Sequence, residues 1–346
     1  MQREIKKIVI KLTDRCNLNC VMCGQRVRNE GAAGGIYIKT ELLKKFFQNI
    51  PENMQVYLWG GEPLLHPDFE EIVKFFISKK GKVSINTNAF LLDKYLDFLI
   101  EAPIESMIVS IDGLGDVHDS IRRTGGLFKK VKESLFKYIE GTRKYQRKNV
   151  VINFTILKDN YLDIEEFCDE IKSWDVHSIT MNFLILVDKK KGNEFAMEVF
   201  EKCGKKLESW KGYSGDYKNI FDYDKLGQIC ESIVNKHGFF VRWSNENFIP
   251  DSKNLEIYYE KPDTLLESLI PLTCEAINKP CSEIEESLAI DSNGNIVICP
   301  DFPDTVIGSI ETSKYENFYN REIYSLYGLD KEYKATCYRC AHRSKY

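Results

Sequence analysis

Residues 5–23 read IKKIVIKLTDRCNLNCVMC, and this stretch decides how the rest of the chain is interpreted. From Ile5 to Leu12 apolar and charged residues alternate, which is the pattern of a β-strand. Three cysteines, Cys16, Cys20 and Cys23, follow at once with the spacing Cys-x3-Cys-x2-Cys. The stretch therefore predicts a strand whose carboxyl end leads directly into a loop of three thiols.

Outward from this stretch, strand-like and helix-like segments alternate through residue 186. Five further strands are predicted at 55–59, 83–86, 106–111, 150–156 and 178–186. Helices are predicted between them at 40–49, 69–79, 91–100, 127–143 and 162–173. Repeated βα units imply a parallel sheet with right-handed crossovers. Six units are fewer than the eight of a closed barrel, so we predict an α/β fold with a partial (β/α)6 TIM-like barrel.

The chemically distinctive residues of this barrel lie just after predicted strands. The three cysteines follow the first strand, Gly60-Gly61 follows the second, and residues 110–113 follow the fourth. In βα barrels, the loops at the carboxyl ends of the strands form the active site. We therefore expect these loops to build one shared site.

The βα rhythm stops near residue 187, and we predict three parts. Residues 1–187 form the barrel, 188–272 a bridging helical and aromatic segment with a strand at 239–243, and 273–346 a small C-terminal extension. In the extension, strands at 287–291 and 296–298 flank Ser292-Asn293-Gly294-Asn295, which is good hairpin-turn chemistry. No catalytic base can be named. The bridging segment offers the following candidates for that base, each of which fits packing or surface exposure better than catalysis: Tyr213, Tyr217, Tyr223, Arg242 and Glu246.

Composition narrows the function classes. Hydrophobic residues make up 43% of the 346 residues, enough for a sizeable core, and the net charge of −4 counts against a nucleic-acid partner. The sequence has no apolar signal core and no window that approaches a membrane span, so we expect a cytoplasmic protein without a membrane partner. In a reducing cytoplasm, eleven cysteines indicate metal binding or redox chemistry more than disulfides.

The thiols of the first loop suit a soft metal centre. Cysteine thiolates bind zinc and iron–sulfur clusters. A structural zinc requires four protein ligands, and no fourth Cys or His lies nearby in the sequence. A [4Fe–4S] cube held by three cysteines leaves one iron open to an exogenous ligand.

The spacing Cys-x3-Cys-x2-Cys just after a first strand resembles the radical S-adenosylmethionine (SAM) superfamily. The resemblance implies that SAM chelates the open iron of a [4Fe–4S] cluster and is cleaved by one electron. The resulting 5′-deoxyadenosyl radical would abstract a hydrogen atom from the substrate. A flavodoxin or ferredoxin would supply the electron.

Further motifs fit the same family in order along residues 5–187. Met22 stands where the family places a residue against the adenine. Gly60-Gly61-Glu62-Pro63 resembles the motif that holds the SAM amino group, and Thr87-Asn88 fits the end of the third strand. Ser110-Ile111-Asp112-Gly113 resembles the segment that contacts the methionyl or ribose part. The loop from His118 resembles the one whose arginine, here Arg122, meets the SAM carboxylate, while His118 itself is expected to make a loop hydrogen bond.

A second cysteine set lies in the C-terminal extension: Cys281, Cys299, Cys337 and Cys340. Four cysteines fit either a structural zinc or a fully ligated [4Fe–4S] cluster, and spacing alone does not decide. Cys-x12-Gly-x4-Cys followed by Cys-x2-Cys resembles the SPASM extension in its shortened twitch form, which implies one auxiliary [4Fe–4S] cluster. Cys274 is a spare candidate ligand. The remaining thiols, Cys168, Cys203 and Cys230, are expected to be structural.

Three functions remain open at this level. The first is oxidation of a carbohydrate or aminocyclitol alcohol, because the single-cluster ending resembles the twitch alcohol dehydrogenase of aminoglycoside biosynthesis. The second is maturation of a ribosomally made peptide by crosslinking, epimerisation or oxidation. Since the sequence opens at the first strand, leader binding would then need a separate partner or the bridging segment. The third is a non-catalytic iron–sulfur electron carrier.

Overall fold

The structure is a computed structural model that describes residues 5–25, 35–147, 149–184, 187, 189–204, 206–215, 220–244, 250–260 and 286–315. Its ten strands form one sheet in the order β10-β9-β8-β1-β2-β3-β4-β5-β6-β7. The strands are β1 Lys7–Thr13, β2 Gln55–Gly60, β3 Lys82–Thr87, β4 Ser106–Ser110, β5 Val150–Thr155, β6 Ser178–Asn182, β7 Val241–Trp243, β8 Ser287–Ile290, β9 Asn295–Val297 and β10 Val306–Ser309.

The six strands expected from the sequence are present, and β1 to β6 pair in parallel with their neighbours in chain order. The helices described are α1 Thr40–Phe46, α2 Phe69–Ser78, α3 Leu96–Glu101, α4 Gly115–Arg122, α5 Leu127–Arg143, α6 Ile164–Lys172, α7 Lys189–Cys203, α8 Tyr223–His237 and α9 Ser252–Glu260. The expected helix at 91–100 starts as the 3-10 turn Leu92–Tyr95 before α3. The α/β partial-barrel prediction is confirmed.

Side chains on these strands alternate between two faces of the sheet. On β5, Val150, Ile152 and Phe154 are buried in the main core, together with residues of the helices. The intervening β5 residues Asn153 and Thr155 are half-buried. We call their side of the sheet the inner face. Asn153 and Thr155 make this part of the inner face polar, in contrast to the apolar core on the other side.

The bridging segment supplies a seventh parallel strand. Thr180 of β6 pairs with Arg242 of β7, and Met181 pairs with Trp243. Trp243 stacks on Phe183, with ring centroids 5.6 Å apart and planes 13° apart. A strand at 239–243 is expected from its sequence, and the structure shows that this strand extends the barrel sheet. Since Trp243 belongs to the core side, Arg242 lies on the inner face.

The C-terminal extension continues the sheet at its other edge. Strand β8 pairs in parallel with β1, and β9 and β10 follow as antiparallel strands. The hairpin turn forms where Asp291 Oδ1 accepts hydrogen bonds from the backbone N–H groups of Asn293 (2.9 Å) and Asn295 (2.8 Å). Gly294 adopts a φ of 79°, which favours glycine. The predicted domain boundary at 272/273 lies outside the described residues, and the one at 187/188 stays a prediction.

No helix in the described ranges combines the length and the apolarity that crossing a bilayer requires.

Candidate metal and cofactor site

The loop that carries Cys16, Cys20 and Cys23, here the cluster loop, is anchored by backbone contacts. The N–H of Gly61 donates to the carbonyl of Thr13 (2.8 Å). The N–H of Glu62 donates to the carbonyl of Arg15, also at 2.8 Å. Two strand ends thus fix the entrance of the cluster loop.

The glycine pair is required by this close approach. A Cβ on Gly60 would lie 2.3 Å from the carbonyl oxygen of Thr13, and Gly60 has a φ of 149°. A Cβ on Gly61 would lie 2.0 Å from the carbonyl oxygen of Arg15. Side chains at these two positions would therefore collide with the backbone that leads into the cluster loop.

Glu62 is fully buried and accepts hydrogen bonds from the chain through both carboxylate oxygens. The hydroxyl of Thr87 (2.6 Å) and the N–H of Leu64 (3.1 Å) donate to Oε1, and the N–H of Asn88 donates to Oε2 (2.8 Å). Burial raises the pKa of this carboxyl to about 7, although the three hydrogen-bond donors lower it in part. Glu62 therefore ties the end of β2 to the end of β3. Its contact with the SAM amino group stays a prediction.

Asn88 borders the first thiol of the cluster loop. Its amide Nδ2 lies 3.8 Å from Cys16 Sγ and donates to Asn17 Oδ1 (3.0 Å). The N–H of Leu18 also points at Cys16 Sγ, at 3.4 Å. Burial raises the pKa of the Cys16 thiol to about 12, so this thiol ionises when a metal takes the place of its proton.

Arg122 and Asp112 form a buried ion pair beside the second thiol. Arg122 Nη2 and Nε lie 2.5 and 2.6 Å from Asp112 Oδ2, and the N–H of Thr155 donates to Oδ1 (2.8 Å). Arg122 Nη1 lies 3.7 Å from Cys20 Sγ. Burial raises the pKa of the Cys20 thiol, whereas the guanidinium opposes that rise. Asp112 thus holds the positively charged guanidinium of Arg122 against the cluster loop.

His118 makes the loop hydrogen bond expected from its sequence position. The N–H of Asp112 donates to His118 Nδ1 at 3.1 Å. Burial and the nearby Arg122 lower the pKa of this imidazole to about 3, so the ring is neutral. Its Nδ1 is the acceptor, which requires the proton on Nε2.

The other predicted SAM contacts lie around the same loops. Pro63 is buried and starts the 3-10 turn Pro63–Leu65, and Met22 is half-buried between the second and third cysteines. Ser110 ends β4 and is half-buried on the inner face. These positions bring the predicted residues to one end of the sheet, while their contacts with SAM stay predictions.

A turn from the bridging segment packs directly on the cluster loop, which the sequence did not predict. It is the 3-10 turn Ser209–Tyr213. A Cβ on Gly212 would lie 1.9 Å from the carbonyl oxygen of Gly24, the residue after Cys23. Asp304 accepts hydrogen bonds from the N–H groups of Glu208 (3.1 Å) and Ser209 (2.8 Å). The turn therefore bridges the cluster loop and the C-terminal hairpin.

The same turn places an aromatic pair between the two cysteine regions. The rings of Tyr213 and Phe302 have centroids 5.3 Å apart. Cys299, three residues before Phe302, is half-exposed. The remaining predicted ligands of that centre, Cys281, Cys337 and Cys340, and the spare Cys274 lie outside the described residues. Cys168 and Cys230 are buried in the main core, as expected for structural thiols.

The catalytic-base candidates of the bridging segment are spread over different places. Tyr223 donates to the carboxylate of Glu260 and stacks near Tyr259, so it holds α8 against α9. Arg242 is exposed on the inner face. Tyr217 and Glu246 lie outside the described residues.

Comparison with known proteins relates this arrangement to two families. Residues 10–171 match the family described as the radical SAM superfamily, and residues 281–341 match the iron–sulfur cluster-binding domain SPASM. Residues 10–171 are thus a radical SAM domain. The second match confirms the expected resemblance of its C-terminal part to SPASM extensions.

Curated relatives of this radical SAM chain differ in their named activities. A probable GTP 3′,8-cyclase of Methanococcus maripaludis is 30% identical over 165 residues, which are 47% of this chain and 52% of that protein. The tungsten-containing aldehyde ferredoxin oxidoreductase cofactor-modifying protein of Pyrococcus furiosus is 24% identical over 267 residues, or 74% of this chain and 73% of that protein. The chain spans about half the length of the GTP 3′,8-cyclase that it matches.

Solved structures of radical SAM proteins share the fold. SuiB of Streptococcus suis, bound to S-adenosylmethionine, matches this chain with a TM-score of 0.64 at 15% identity. The match covers 98% of this chain and 72% of SuiB. The protein anSMEcpe, with bound AdoMet and a Cp18Cys peptide, matches this chain with a TM-score of 0.60 at 18% identity. This match covers 94% of this chain and 84% of anSMEcpe. The likeness confirms a radical SAM fold with a C-terminal extension.

The cofactors of this radical SAM chain are SAM, the [4Fe–4S] cluster that binds it, and an auxiliary iron–sulfur cluster in the SPASM part. The cluster loop fits the first cluster, because it offers three soft donors bordered by Asn88 and Arg122. Within the described ranges no three His, Cys, Asp or Glu side chains converge on one metal ion. In a cubane each thiol binds a different iron, so convergence on one point is not required.

Proposed function

We propose that this chain is a radical SAM enzyme that reductively cleaves SAM and abstracts a hydrogen atom from a substrate bound on the inner face. The main support is that the cluster loop, the buried Arg122 and the amide of Asn88 come together at one end of the sheet. Cys16, Cys20 and Cys23 would hold the cube, which would leave one iron open for SAM. When bound, the cluster supplies one electron and SAM supplies the radical that takes the hydrogen atom.

The chain's own groups prepare this chemistry by fixing charge and position. Arg122 is held by Asp112 and presents its guanidinium at the cluster loop, where it favours anionic thiolate and carboxylate groups. Glu62 holds the loops after β2 and β3 in register. Because these groups are already bonded within the protein, the loops need little rearrangement when the cofactors bind.

For the overall reaction, we propose oxidation of a carbohydrate or aminocyclitol alcohol. Loss of a hydrogen atom, one further electron and the hydroxyl proton converts a CH–OH carbon into a ketone. In this proposal Cys281, Cys299, Cys337 and Cys340 would hold one auxiliary [4Fe–4S] cluster, which would supply an acceptor for that electron. A flavodoxin or ferredoxin is the proposed donor of the first electron.

Peptide modification is the second candidate. It is supported by the structural neighbour SuiB, which has been solved bound to its precursor peptide SuiA. It is supported also by anSMEcpe, which has been solved with bound peptides. Because these neighbours are below 20% identical to the chain, they support the fold more strongly than the substrate.

The first experiment is anaerobic reconstitution, followed by iron, sulfide and zinc counts and by a 5′-deoxyadenosine assay with dithionite and SAM. We expect about eight irons per chain and formation of 5′-deoxyadenosine. Cys20→Ala should remove about four irons and all SAM cleavage, and Cys337→Ala with Cys340→Ala should lose only the second cluster. Cys168→Ala, a buried thiol in the core, is the matched control and should keep both clusters.

Each outcome has a defined meaning. Persistent SAM cleavage in Cys20→Ala would refute the assignment of the cluster loop. About four irons plus one zinc in the wild type would make the C-terminal site structural and remove the proposed electron acceptor. A reduced auxiliary cluster after turnover with a polyol, but not with a peptide, would separate the two candidate substrates.

A further inference from the structure

Among the residues that the structure describes, the strands that form the inner face carry basic side chains and no acidic ones. The seven strands β1 to β7 contain no Asp or Glu. Lys11 and Arg242 stand on their inner face at the two ends of this run of strands. Two acidic groups of the adjoining loops are already engaged, Glu62 with three chain donors and Asp112 with Arg122. The face therefore favours an anionic ligand over a cationic one.

Four side chains that can donate hydrogen bonds lie in one row across this face. Register pairs join Ser110 of β4 to Asn153 of β5, Asn153 to Thr180 of β6, and Thr180 to Arg242 of β7. Paired residues of neighbouring strands share a face, and neighbouring strands lie about 4.8 Å apart. The row thus extends roughly 14 Å from the end of β4, next to the predicted SAM contacts, to the guanidinium.

The orientation of Asn153 follows from its neighbour. The amide Nδ2 of Asn182 donates to the carbonyls of Phe154 (3.1 Å) and Thr180 (3.3 Å), and those acceptors fix which end of Asn182 carries the hydrogens. The same Nδ2 donates to Asn153 Oδ1 at 2.7 Å. Asn153 must therefore present its own NH2 group away from Asn182, as a donor on the inner face.

Arg242 is the strongest donor in the row. It is exposed, and within the described ranges it makes no ion pair. Because guanidinium binds carboxylate and phosphate through two parallel hydrogen bonds, it matches a planar or tetrahedral anion. Thr180 and Asn153 stand beside it to complete such a contact.

We infer that the row Asn153–Thr180–Arg242 binds an anionic group, a phosphate or a carboxylate, on the substrate of this enzyme. The inference rests on the proposed function, since it assigns the far end of the same substrate. It requires an elongated substrate whose reacting carbon lies near the end of β4 and whose anionic group lies near β7. A cationic, unphosphorylated aminocyclitol does not meet this requirement.

The test is calorimetric titration of the reconstituted protein with SAM already bound, so that the site for the SAM carboxylate is filled. The probes are pyrophosphate, glucose 6-phosphate, gluconate and glucose. We expect the anions to bind and glucose not to bind. Binding of the phosphates alone would assign a phosphate, and binding of gluconate alone would assign a carboxylate. Arg242→Gln should weaken anion binding about 10–100-fold, as expected for loss of a charged hydrogen bond.

Two further variants sharpen the result. Arg242→Lys keeps the charge and should retain part of the affinity, and Arg123→Gln removes an exposed arginine at the end of α4 and should leave anion binding unchanged. The inference is overturned if no anion binds, if Arg242→Gln binds as the wild type does, or if Arg242→Gln loses SAM itself. The titration requires no turnover, so a failure to cleave SAM would refute the proposed function without changing this result.

Discussion

Replacing Asp112 with Asn tests whether the buried ion pair organises the cofactor site. Asp112 is 0% exposed and Arg122 is 8% exposed. Both carboxylate oxygens accept from donors, Oδ1 from the N–H of Thr155 and Oδ2 from two nitrogens of Arg122. An amide NH2 in this place must face one of those donors. The substitution also removes the carboxylate that balances the buried guanidinium.

Breaking a buried pair in this way costs about 3–5 kcal/mol. For a chain of 346 residues, the unfolding entropy is on the order of 0.7 kcal/mol per kelvin, so the loss should lower the Tm by about 4–7 °C. Circular dichroism of the reconstituted protein under anaerobic conditions measures this shift. Asp116→Asn is the matched control, because it removes the same charge from an exposed position of α4 and should cost at most about 1 kcal/mol. Equal Tm values for the two variants would refute the reasoning.

Three further predictions concern the surrounding loops. Gly61→Ala should lower the iron content and destabilise the protein by about 1–3 kcal/mol, because the new Cβ would meet the backbone of the cluster loop. The control Gly125→Ala has open space around the new Cβ and should be neutral. Equal iron contents in the two variants would contradict this prediction. The pKa of Glu62 is raised to about 7 from its ordinary value of 4.5, so its stabilising contribution is complete below pH 4.5 and is lost as the pH rises through 7. Between pH 5 and 8 the stability of the wild type should therefore fall relative to that of Glu62→Gln, and a constant difference in Tm would contradict the assignment. Asp304→Ala removes the acceptor at the start of the turn Ser209–Tyr213, at a cost of about 1 kcal/mol, and should speed hydrogen exchange of that turn several-fold; unchanged exchange would show that other contacts hold it.

The weakest expectations from sequence were those that depend on contacts between distant segments. The sequence predicts a strand at 239–243. Its pairing with β6 depends on how the intervening 3-10 turn and helices fold back. The stacking of Trp243 on Phe183 is a contact of the folded chain, and the local sequence around Trp243 does not indicate it. Strand β10 is short and has no alternating pattern, so it was not expected. The contact between Gly24 and Gly212 joins residues far apart in the chain and leaves no local signal.

The sequence by itself determined the order of strands and helices, the cluster loop after β1 and the candidate SAM residues, because hydrophobic periodicity, glycine pairs and thiol spacing are local properties. The tertiary structure decided what those residues contact. It placed Asp112 against Arg122, tied Glu62 to the end of β3, and joined both outlying segments to the barrel sheet as β7 and β8. These outcomes depend on which groups are buried together, since a carboxylate without water must find its donors within the fold. The local sequence specifies which polar groups are present, and burial in the folded chain determines which of them pair.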